Sequence, residues 1–231
     1  MNRDTAYKLF RTLFNAFTHV SFENLHVVPK TGPLILAVNH MSRIDFPLLT
    51  VTDHRMDWTA FVADQYKRWR WFAKIADGTG MIWIDRSKAD FAAIKKALDW
   101  LKNGGMFVLS PEGTRSKTGQ LQEAKEGIVM IAAKAGVPVC TGSIIGTENY
   151  KHELLRLRKP RLTLRFGPPV VLPKIDPERR EESLRESTDE VMCRIAAMLP
   201  GKYRGFYKDY PRVQELLSEW KQDPSLIVPE A

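Results

Sequence analysis

Short apolar runs separated by amphipathic segments constrain the fold of this chain more than any other feature. Six runs are typical of buried strands and cover residues 34–38, 58–63, 81–84, 106–109, 138–145 and 162–166. Helical patterns lie between them at residues 46–52, 66–76, 88–102 and 123–135. Strands that alternate with helices through short connections indicate an α/β fold. We therefore predict a single domain with a mixed central sheet covered by helices.

The two ends of the chain lie outside this alternation. Residues 1–22 predict an amphipathic N-terminal helix, in which Phe10, Phe14 and Phe17 follow helical spacing with basic residues alongside. Such a helix can lie in a membrane interface or can pack on the domain core, and both interpretations stay open. We assign residues 23–175 to the α/β core and residues 176–231 to a C-terminal helical extension packed on it.

Composition narrows the partners of the chain. The 231 residues include 35 Lys and Arg against 27 Asp and Glu, a net charge of +8. This charge favours anionic partners such as lipid headgroups, phosphorylated substrates or nucleic acid, although a generic soluble surface is the alternative. No segment reaches the roughly 18 uninterrupted apolar residues that a membrane-spanning helix needs, so we expect none. Cys140 and Cys193 lack metal-ligand spacing and suit a reducing cytosolic compartment.

A possible general base follows the first apolar run. Residues 39–45 read Asn-His-Met-Ser-Arg-Ile-Asp, which places His40 five residues before Asp45. A neutral imidazole can accept a proton from an alcohol, and a carboxylate on its other nitrogen fixes the tautomer. In a single pair of this kind, the histidine more often has only a structural role. Because no Gly-x-Ser-x-Gly nucleophile occurs, His40 would activate a hydroxyl of the substrate. His40 and Asp45 lack a third ligand at suitable spacing, so we expect no metal site.

A second polar string follows the run at 106–109. Residues 112–116 read Glu-Gly-Thr-Arg-Ser, in which Gly113 lets the backbone approach a ligand and Arg115 can bind phosphate with two hydrogen bonds. An ordinary polar loop with a surface ion pair is the alternative. A third string, 80–86, ends in Asp-Arg, so Arg86 is either another anion ligand or paired with a neighbour.

Together with Val137-Pro138, which begins another apolar run, these strings resemble the glycerolipid acyltransferase family. Its best-known members are the 1-acylglycerol-3-phosphate acyltransferases. The first motif of that family, Asn-His-x4-Asp, matches at residues 39–45, and the Gly-to-Asp-Arg motif matches at 80–86. The Glu-Gly-Thr-Arg-Ser motif matches at 112–116 and the Val-Pro motif at 137–138, so that the resemblance covers about residues 25–170.

The resemblance implies direct acyl transfer to the free hydroxyl of a lysophospholipid. The default acceptor is 1-acylglycerol-3-phosphate, which would give phosphatidate, and the donor is acyl-CoA or acyl carrier protein as co-substrate with no further cofactor. His40 would deprotonate the hydroxyl while Asp45 orients it. The residues implied in substrate binding are Glu112, Gly113, Thr114, Arg115, Arg86 and Lys125.

The resemblance also implies a membrane surface as partner. The basic and aromatic segment 66–74 contains Trp69 and Trp71, which suit the headgroup region or, alternatively, pack inward. We expect peripheral or monotopic attachment at the cytoplasmic face of a membrane, and no nucleic acid. The rival functions are acylation of another lysolipid, aminolipid or glycolipid, thioester hydrolysis, and non-catalytic binding of lipid or nucleic acid.

Overall fold

A seven-stranded mixed sheet forms the centre of the protein in the computed structural model, which describes residues 1–229. The strands are β1 (His19–Glu23), β2 (Leu34–Val38), β3 (Trp58–Ala63), β4 (Ile82–Ile84), β5 (Met106–Leu109), β6 (Val139–Ile145) and β7 (Arg161–Phe166). Their order across the sheet is β1-β7-β6-β2-β5-β3-β4. All neighbours run parallel except β6 and β7, which are antiparallel. The predicted mixed α/β fold is confirmed.

Helices cover both faces of this sheet. They are α1 (Arg3–Phe17), α2 (Asp45–Leu48), α3 (Arg70–Gly78), α4 (Phe91–Lys102), α5 (Gly127–Ala135), α6 (Tyr150–Leu155), α7 (Arg180–Ala197) and α8 (Pro211–Lys221). One core cluster joins the sheet to α1 and α2, and the other joins it to α4, α5, α7 and α8. Because β2 is buried on both faces, every one of its five residues is apolar.

The N-terminal segment differs from the prediction of one helix over residues 1–22. Helix α1 ends at Phe17, and the Thr18 hydroxyl and amide both donate to the Phe14 carbonyl. The following residues form strand β1, which pairs with β7. Val20 and Phe22 are half-buried and Ser21 between them is exposed, a period-two pattern that suits an edge strand.

The segment predicted as a helix over residues 66–76 is divided. Residues Asp64–Arg68 form a 3-10 helix, and α3 starts only at Arg70. Helix α6 was not predicted at all. Helices α7 and α8 contribute many fully buried side chains, including Val191 and Leu216, so they complete one face of the sheet. Within residues 1–229 no helix is both long and apolar enough to cross a membrane.

Candidate active site

His40 and Asp45 meet at the carboxyl edge of the sheet. His40 lies just beyond β2, and Asp45 is the first residue of α2. His40 Nδ1 lies 2.8 Å from Asp45 Oδ2, and Phe46 packs edge-on against the imidazole at 5.3 Å between ring centres. With Nδ1–H donating to the carboxylate, the lone pair of Nε2 is left for a substrate proton. The His40 side chain keeps 17% of its surface exposed, which leaves this pair open to a ligand.

The Asp45 carboxylate is fully buried and every hydrogen bond it accepts fixes its orientation. Oδ2 also accepts from the backbone amides of Met41 and Ser42, each at 2.7 Å. Oδ1 accepts from the Thr147 hydroxyl at 2.6 Å. A buried charge needs this degree of compensation, since an unpaired carboxylate in an apolar interior is strongly disfavoured. The hydrogen bonds from these two backbone amides also hold the loop between His40 and Asp45 in one conformation.

Thr147 is a site residue that the sequence reasoning missed. It follows β6, which runs parallel to β2 and so ends at the same edge of the sheet. Thr147 is fully buried and lies 102 positions from Asp45 in the chain. Nothing local marks it. The one indirect signal is the Val137-Pro138 motif, which begins the strand that delivers Thr147.

The Asn39 side chain connects the end of β2 to the neighbouring strand β6. Its side-chain amide donates to the Ile144 carbonyl at 2.9 Å, and its side-chain carbonyl accepts from the Ile144 amide at 2.7 Å. Asn39 is buried, so both bonds are shielded from water. This side chain replaces a backbone pair at the point where β2 and β6 separate, and it fixes the position from which His40 projects.

Glu112 ties the second motif to the first. One carboxylate oxygen accepts from the His40 amide at 3.0 Å, and the other accepts from the Gln122 amide at 3.1 Å. Glu112 is buried, and this burial raises the pKa of its carboxyl above the usual range. The implied direct contact with substrate does not fit this geometry, because the carboxylate faces amides of the protein and would repel a phosphate. Glu112 instead positions His40.

The rest of that motif surrounds a turn beside His40. Gly113 has a positive φ of 69°, which favours glycine, and the Ser116 amide donates to the His40 carbonyl at 2.8 Å. A Cβ atom added at Gly113 would lie 3.2 Å from the Lys125 side chain. Thr114, Arg115 and Lys125 are exposed, and neither cation forms an ion pair within residues 1–229. Two unneutralised cations therefore flank the turn.

Arg86 lies farther along the same edge. It follows β4, which is separated from β5 by β3, so one strand lies between Arg86 and the loop that carries Arg115. The structure therefore places Arg86 on the same edge of the sheet as the Gly113 turn, with the end of β3 between them. Within the described 229 residues, no three His, Cys, Asp or Glu side chains are grouped as a metal site would require.

The predicted membrane-facing residues divide into buried and exposed ones. Phe14 is buried and Phe10 is half-buried, because both belong to the stripe of α1 that packs on the sheet. Phe17 is exposed and forms a second apolar stripe with Leu9 and Leu13, four residues apart along the helix. In the other segment, the Trp69 ring is half-buried and Trp71 is 66% exposed.

A family model described as Acyltransferase matches residues 19–145, more than half of the chain, and this stretch contains all four motifs and β1 to β6. The chain belongs to the acyltransferase family. The match starts with β1, the strand that the sequence reasoning had placed in the N-terminal helix, and ends with β6, which carries Thr147 to the site.

Individual relatives agree with this assignment. A probable 1-acyl-sn-glycerol-3-phosphate acyltransferase of Mycoplasma pneumoniae is 28% identical over 141 residues, which are 58% of this chain and 52% of that protein. A 1-acyl-sn-glycerol-3-phosphate acyltransferase of Chlamydomonas reinhardtii is 25% identical over 83% of this chain and 55% of its own length. A chloroplastic enzyme of the same description from Brassica napus is 44% identical over 62 residues, 27% of this chain. The chain spans only 17% to 55% of these three curated relatives.

The fold is similar to that of a solved acyltransferase. The crystal structure of the 1-acyl-sn-glycerophosphate acyltransferase PlsC from Thermotoga maritima aligns with a TM-score of 0.60 at 25% sequence identity. The alignment covers 81% of this chain and 78% of that one. Because this coverage exceeds the family match, the similarity extends to elements outside residues 19–145.

Proposed function

We propose that the protein transfers an acyl chain from a thioester to the free hydroxyl of a lysophospholipid, with 1-acylglycerol-3-phosphate as the acceptor. One observation carries the proposal: the accessible His40–Asp45 pair lies beside the loop of Arg115, which has no ion-pair partner among the described residues. A base next to a phosphate-binding group suits an acceptor that carries its hydroxyl and its phosphate on one small molecule. The names of the relatives point to the same acceptor.

The chemistry follows from the orientation of the imidazole. His40 Nε2 takes the hydroxyl proton as the oxygen attacks the thioester carbonyl, and Asp45 stabilises the imidazolium that forms. The tetrahedral intermediate then collapses, the carbon–sulfur bond breaks, and the departing thiolate takes the proton back from His40. No enzyme nucleophile takes part, so the acyl chain passes directly from donor to acceptor.

The acceptor phosphate is proposed to bind at the Gly113 turn. A guanidinium can bind phosphate with two parallel hydrogen bonds, and Arg115 is exposed beside this turn. Lys125 adds a second positive charge close to Gly113. Because the Ser116 amide is bonded to the His40 carbonyl, the distance between this phosphate site and the base is set by the backbone. This connection determines which hydroxyl of the acceptor can reach Nε2.

We also propose that the protein works at a membrane surface as a peripheral protein, on the cytoplasmic face where acyl-CoA and acyl carrier protein occur. The exposed stripe of Leu9, Leu13 and Phe17 on α1 supports this proposal, as does exposed Trp71 with the basic residues around it. Apolar and aromatic side chains next to cations suit the interface of an anionic bilayer. The acceptor and product are both lipids of such a bilayer.

The decisive experiment follows thiol release and lipid product with acyl-CoA and a panel of lysolipids. We expect release to require an acceptor and to fall by at least about a hundredfold in His40→Ala, since general-base assistance contributes roughly 10² to 10⁴. Lys134→Ala, at an exposed lysine in the last turn of α5, is the control and should keep full activity. Thiol release without an acceptor would indicate a hydrolase. Binding to liposomes or oligonucleotides with no turnover would contradict the enzyme proposal.

A second variant tests the acceptor site. In Arg115→Gln we expect the KM for lysophosphatidate to rise about tenfold or more, because a charge-assisted hydrogen bond contributes roughly 1.5–3 kcal/mol. The KM for the acyl donor should change much less. An acceptor without phosphate, such as monoacylglycerol, should be used equally poorly by both proteins. Equal losses for donor and acceptor would mean that Arg115 has only a structural role.

A further inference from the structure

A second cationic group, formed by Arg43, Arg68 and Trp69, has no part in the chemistry proposed so far. The Arg43 guanidinium lies over the Trp69 ring at 5.4 Å from its centre, and the Arg68 guanidinium lies over the same ring at 5.3 Å. Arg43 comes from the loop between His40 and Asp45, whereas Arg68 and Trp69 follow β3. Two parts of the chain thus place like charges on one aromatic side chain.

Neither guanidinium is neutralised by a carboxylate in residues 1–229. Asp64, the acidic residue of the same 3-10 helix, is paired with Lys67 at 2.9 Å. By comparison, the buried arginine Arg55 is paired with Asp57, whereas Arg43 and Arg68 are both exposed. A cation–π contact compensates a like-charge neighbour only in part, since it contributes less than an ion pair with good geometry. The arrangement is suited to receive an anion.

The position of this group relative to His40 differs from that of Arg115. Helix α2, which continues the Arg43 loop, packs in the core cluster with α1, whereas α5, which follows the Gly113 turn, packs in the cluster on the opposite face of the sheet. The two cationic groups therefore come from different loops, one from the loops after β2 and β3 and the other from the loop after β5. The hydrogen bonds from the Met41 and Ser42 amides to Asp45 hold the backbone immediately before Arg43.

We propose that Arg43 and Arg68, oriented by Trp69, bind a phosphate of the acyl donor. This inference rests on the proposed function, which needs two phosphate-bearing molecules to meet at one base. Coenzyme A and the prosthetic group of acyl carrier protein share a phosphate at the far end of the pantetheine arm from the sulfur. With the acceptor phosphate at Arg115, this separate cationic group is left for the donor. Trp69 is then a positioning residue, because it touches the arginines and not the reacting atoms.

The test compares donors with and without phosphate, in solution and without vesicles. A short-chain lysophosphatidate below its micelle concentration serves as acceptor, and acyl-CoA, the acylated form of acyl carrier protein and acyl-pantetheine serve as donors. In Arg43→Gln we expect the KM for both phosphate-bearing donors to rise about tenfold, with kcat nearly unchanged. The KM for acyl-pantetheine and the KM for the acceptor should stay within about twofold of their wild-type values, because neither molecule has a phosphate bound at this group.

Two controls separate this effect from general loss of charge or fold. Arg180→Gln removes an exposed arginine at the start of α7, outside both motif loops, and should leave every KM unchanged. Trp69→Phe should keep most donor affinity and Trp69→Leu should lose it, because only an aromatic ring holds the guanidiniums. Binding of CoA to the inactive His40→Ala protein, measured by calorimetry, should weaken about tenfold when Arg43→Gln is added.

The results also distinguish this inference from the proposed function. If the wild-type protein transfers acyl chains but Arg43→Gln keeps the donor KM, the donor site is wrong and the activity stands. If only the carrier protein loses affinity, Arg43 contacts that protein and not the pantetheine phosphate, which also overturns the inference. An effect that appears only with vesicles would assign the group to lipid headgroups. Absence of any transfer by the wild-type protein would overturn the proposed function itself.

Discussion

Asp45 illustrates how much one buried side chain requires of its surroundings. Its carboxylate accepts bonds from the His40 ring, from the amides of Met41 and Ser42, and from the Thr147 hydroxyl. Three of these donors are within five residues in the sequence, and the fourth comes from the loop after β6. The local donors follow from the turn itself, whereas the fourth exists only because β6 pairs with β2. Thr147 therefore connects folding of the sheet to the orientation of the His40 ring.

This connection can be measured at Thr147. In Thr147→Val we expect the free energy of unfolding to fall by about 1–3 kcal/mol, the cost of leaving a buried acceptor without its donor. We also expect kcat to fall roughly tenfold, equivalent to about 1.4 kcal/mol, because Asp45 can then rotate away from His40. Thr147→Ser keeps the hydroxyl and should restore kcat. Denaturant titration and steady-state kinetics check both, and an unchanged kcat in a destabilised Thr147→Val would make Thr147 purely structural.

At the scale of the element, α1 shows that helical periodicity predicts a helix but does not say which of its faces is exposed. Its inward face carries Ala6, Tyr7 and Phe14, and Tyr7 stacks on Trp58 of β3 with 5.7 Å between ring centres. Leu9, Leu13 and Phe17 form the outward stripe. Both stripes have helical spacing, so the sequence alone does not say which one contacts the sheet.

The exposed and the buried stripe of α1 predict opposite effects of substitution on membrane affinity and on stability. Replacing Leu9, Leu13 and Phe17 together by Ser should lower the affinity for anionic vesicles at least about tenfold, since each exposed apolar side chain contributes up to roughly 1.5–3 kcal/mol when buried. The free energy of unfolding should change little. Phe14→Ala should instead cost about 3–5 kcal/mol of stability and leave vesicle affinity of the folded protein intact. Sedimentation with liposomes and denaturant titration distinguish them, and unchanged sedimentation of the triple variant would contradict a membrane role.

Strand-to-loop transitions are the elements that sequence reasoning predicted best. The strands before His40 and before Glu112 were predicted with the bounds that the structure has, because each is a continuous apolar run between turn residues. Edge elements were predicted poorly. Strand β1 is half-exposed, and its weak alternation of His19, Val20 and Ser21 carries no strong signal beside the helical pattern that precedes it.

At the scale of the whole molecule, the sheet buries groups that would otherwise titrate at alkaline pH. Burial raises the pKa of the Cys140 thiol in β6 and of the Cys193 thiol in α7 from 9.0 to about 12 in each case. Burial also raises the pKa of Tyr7 from 10.0 to about 12. Unfolding exposes all three groups, so the unfolded chain releases their protons at lower pH than the folded protein does. Their contribution to stability is complete below about pH 9 and is lost as the pH rises towards 12.

We therefore expect the free energy of unfolding to decrease steadily above pH 9. Cys140 alone should account for about 1 kcal/mol of the loss between pH 8 and pH 10, from a limiting slope of roughly 1.4 kcal/mol per pH unit. Cys140→Ala should be less stable at neutral pH, and its free energy of unfolding should fall by about 1 kcal/mol less than that of the wild-type protein between pH 8 and pH 10. Denaturant titrations at pH 8, 9 and 10 measure the difference. Parallel pH profiles for the two proteins would mean that the thiol has the same pKa in the folded and the unfolded protein.

The sequence by itself determined the fold class, the motif loops and the acyltransferase resemblance, because buried parallel strands need continuous apolar runs and the motif turns need particular residues in order. Only the tertiary structure decided the contribution of Thr147, the inward direction of Glu112, the strand separation of Arg86 from Arg115, and the face of α1 that remains exposed. These features depend on which strands become neighbours and which side of a helix meets the sheet. Neighbour relations between distant segments are set by packing of the whole core, and no local pattern encodes them.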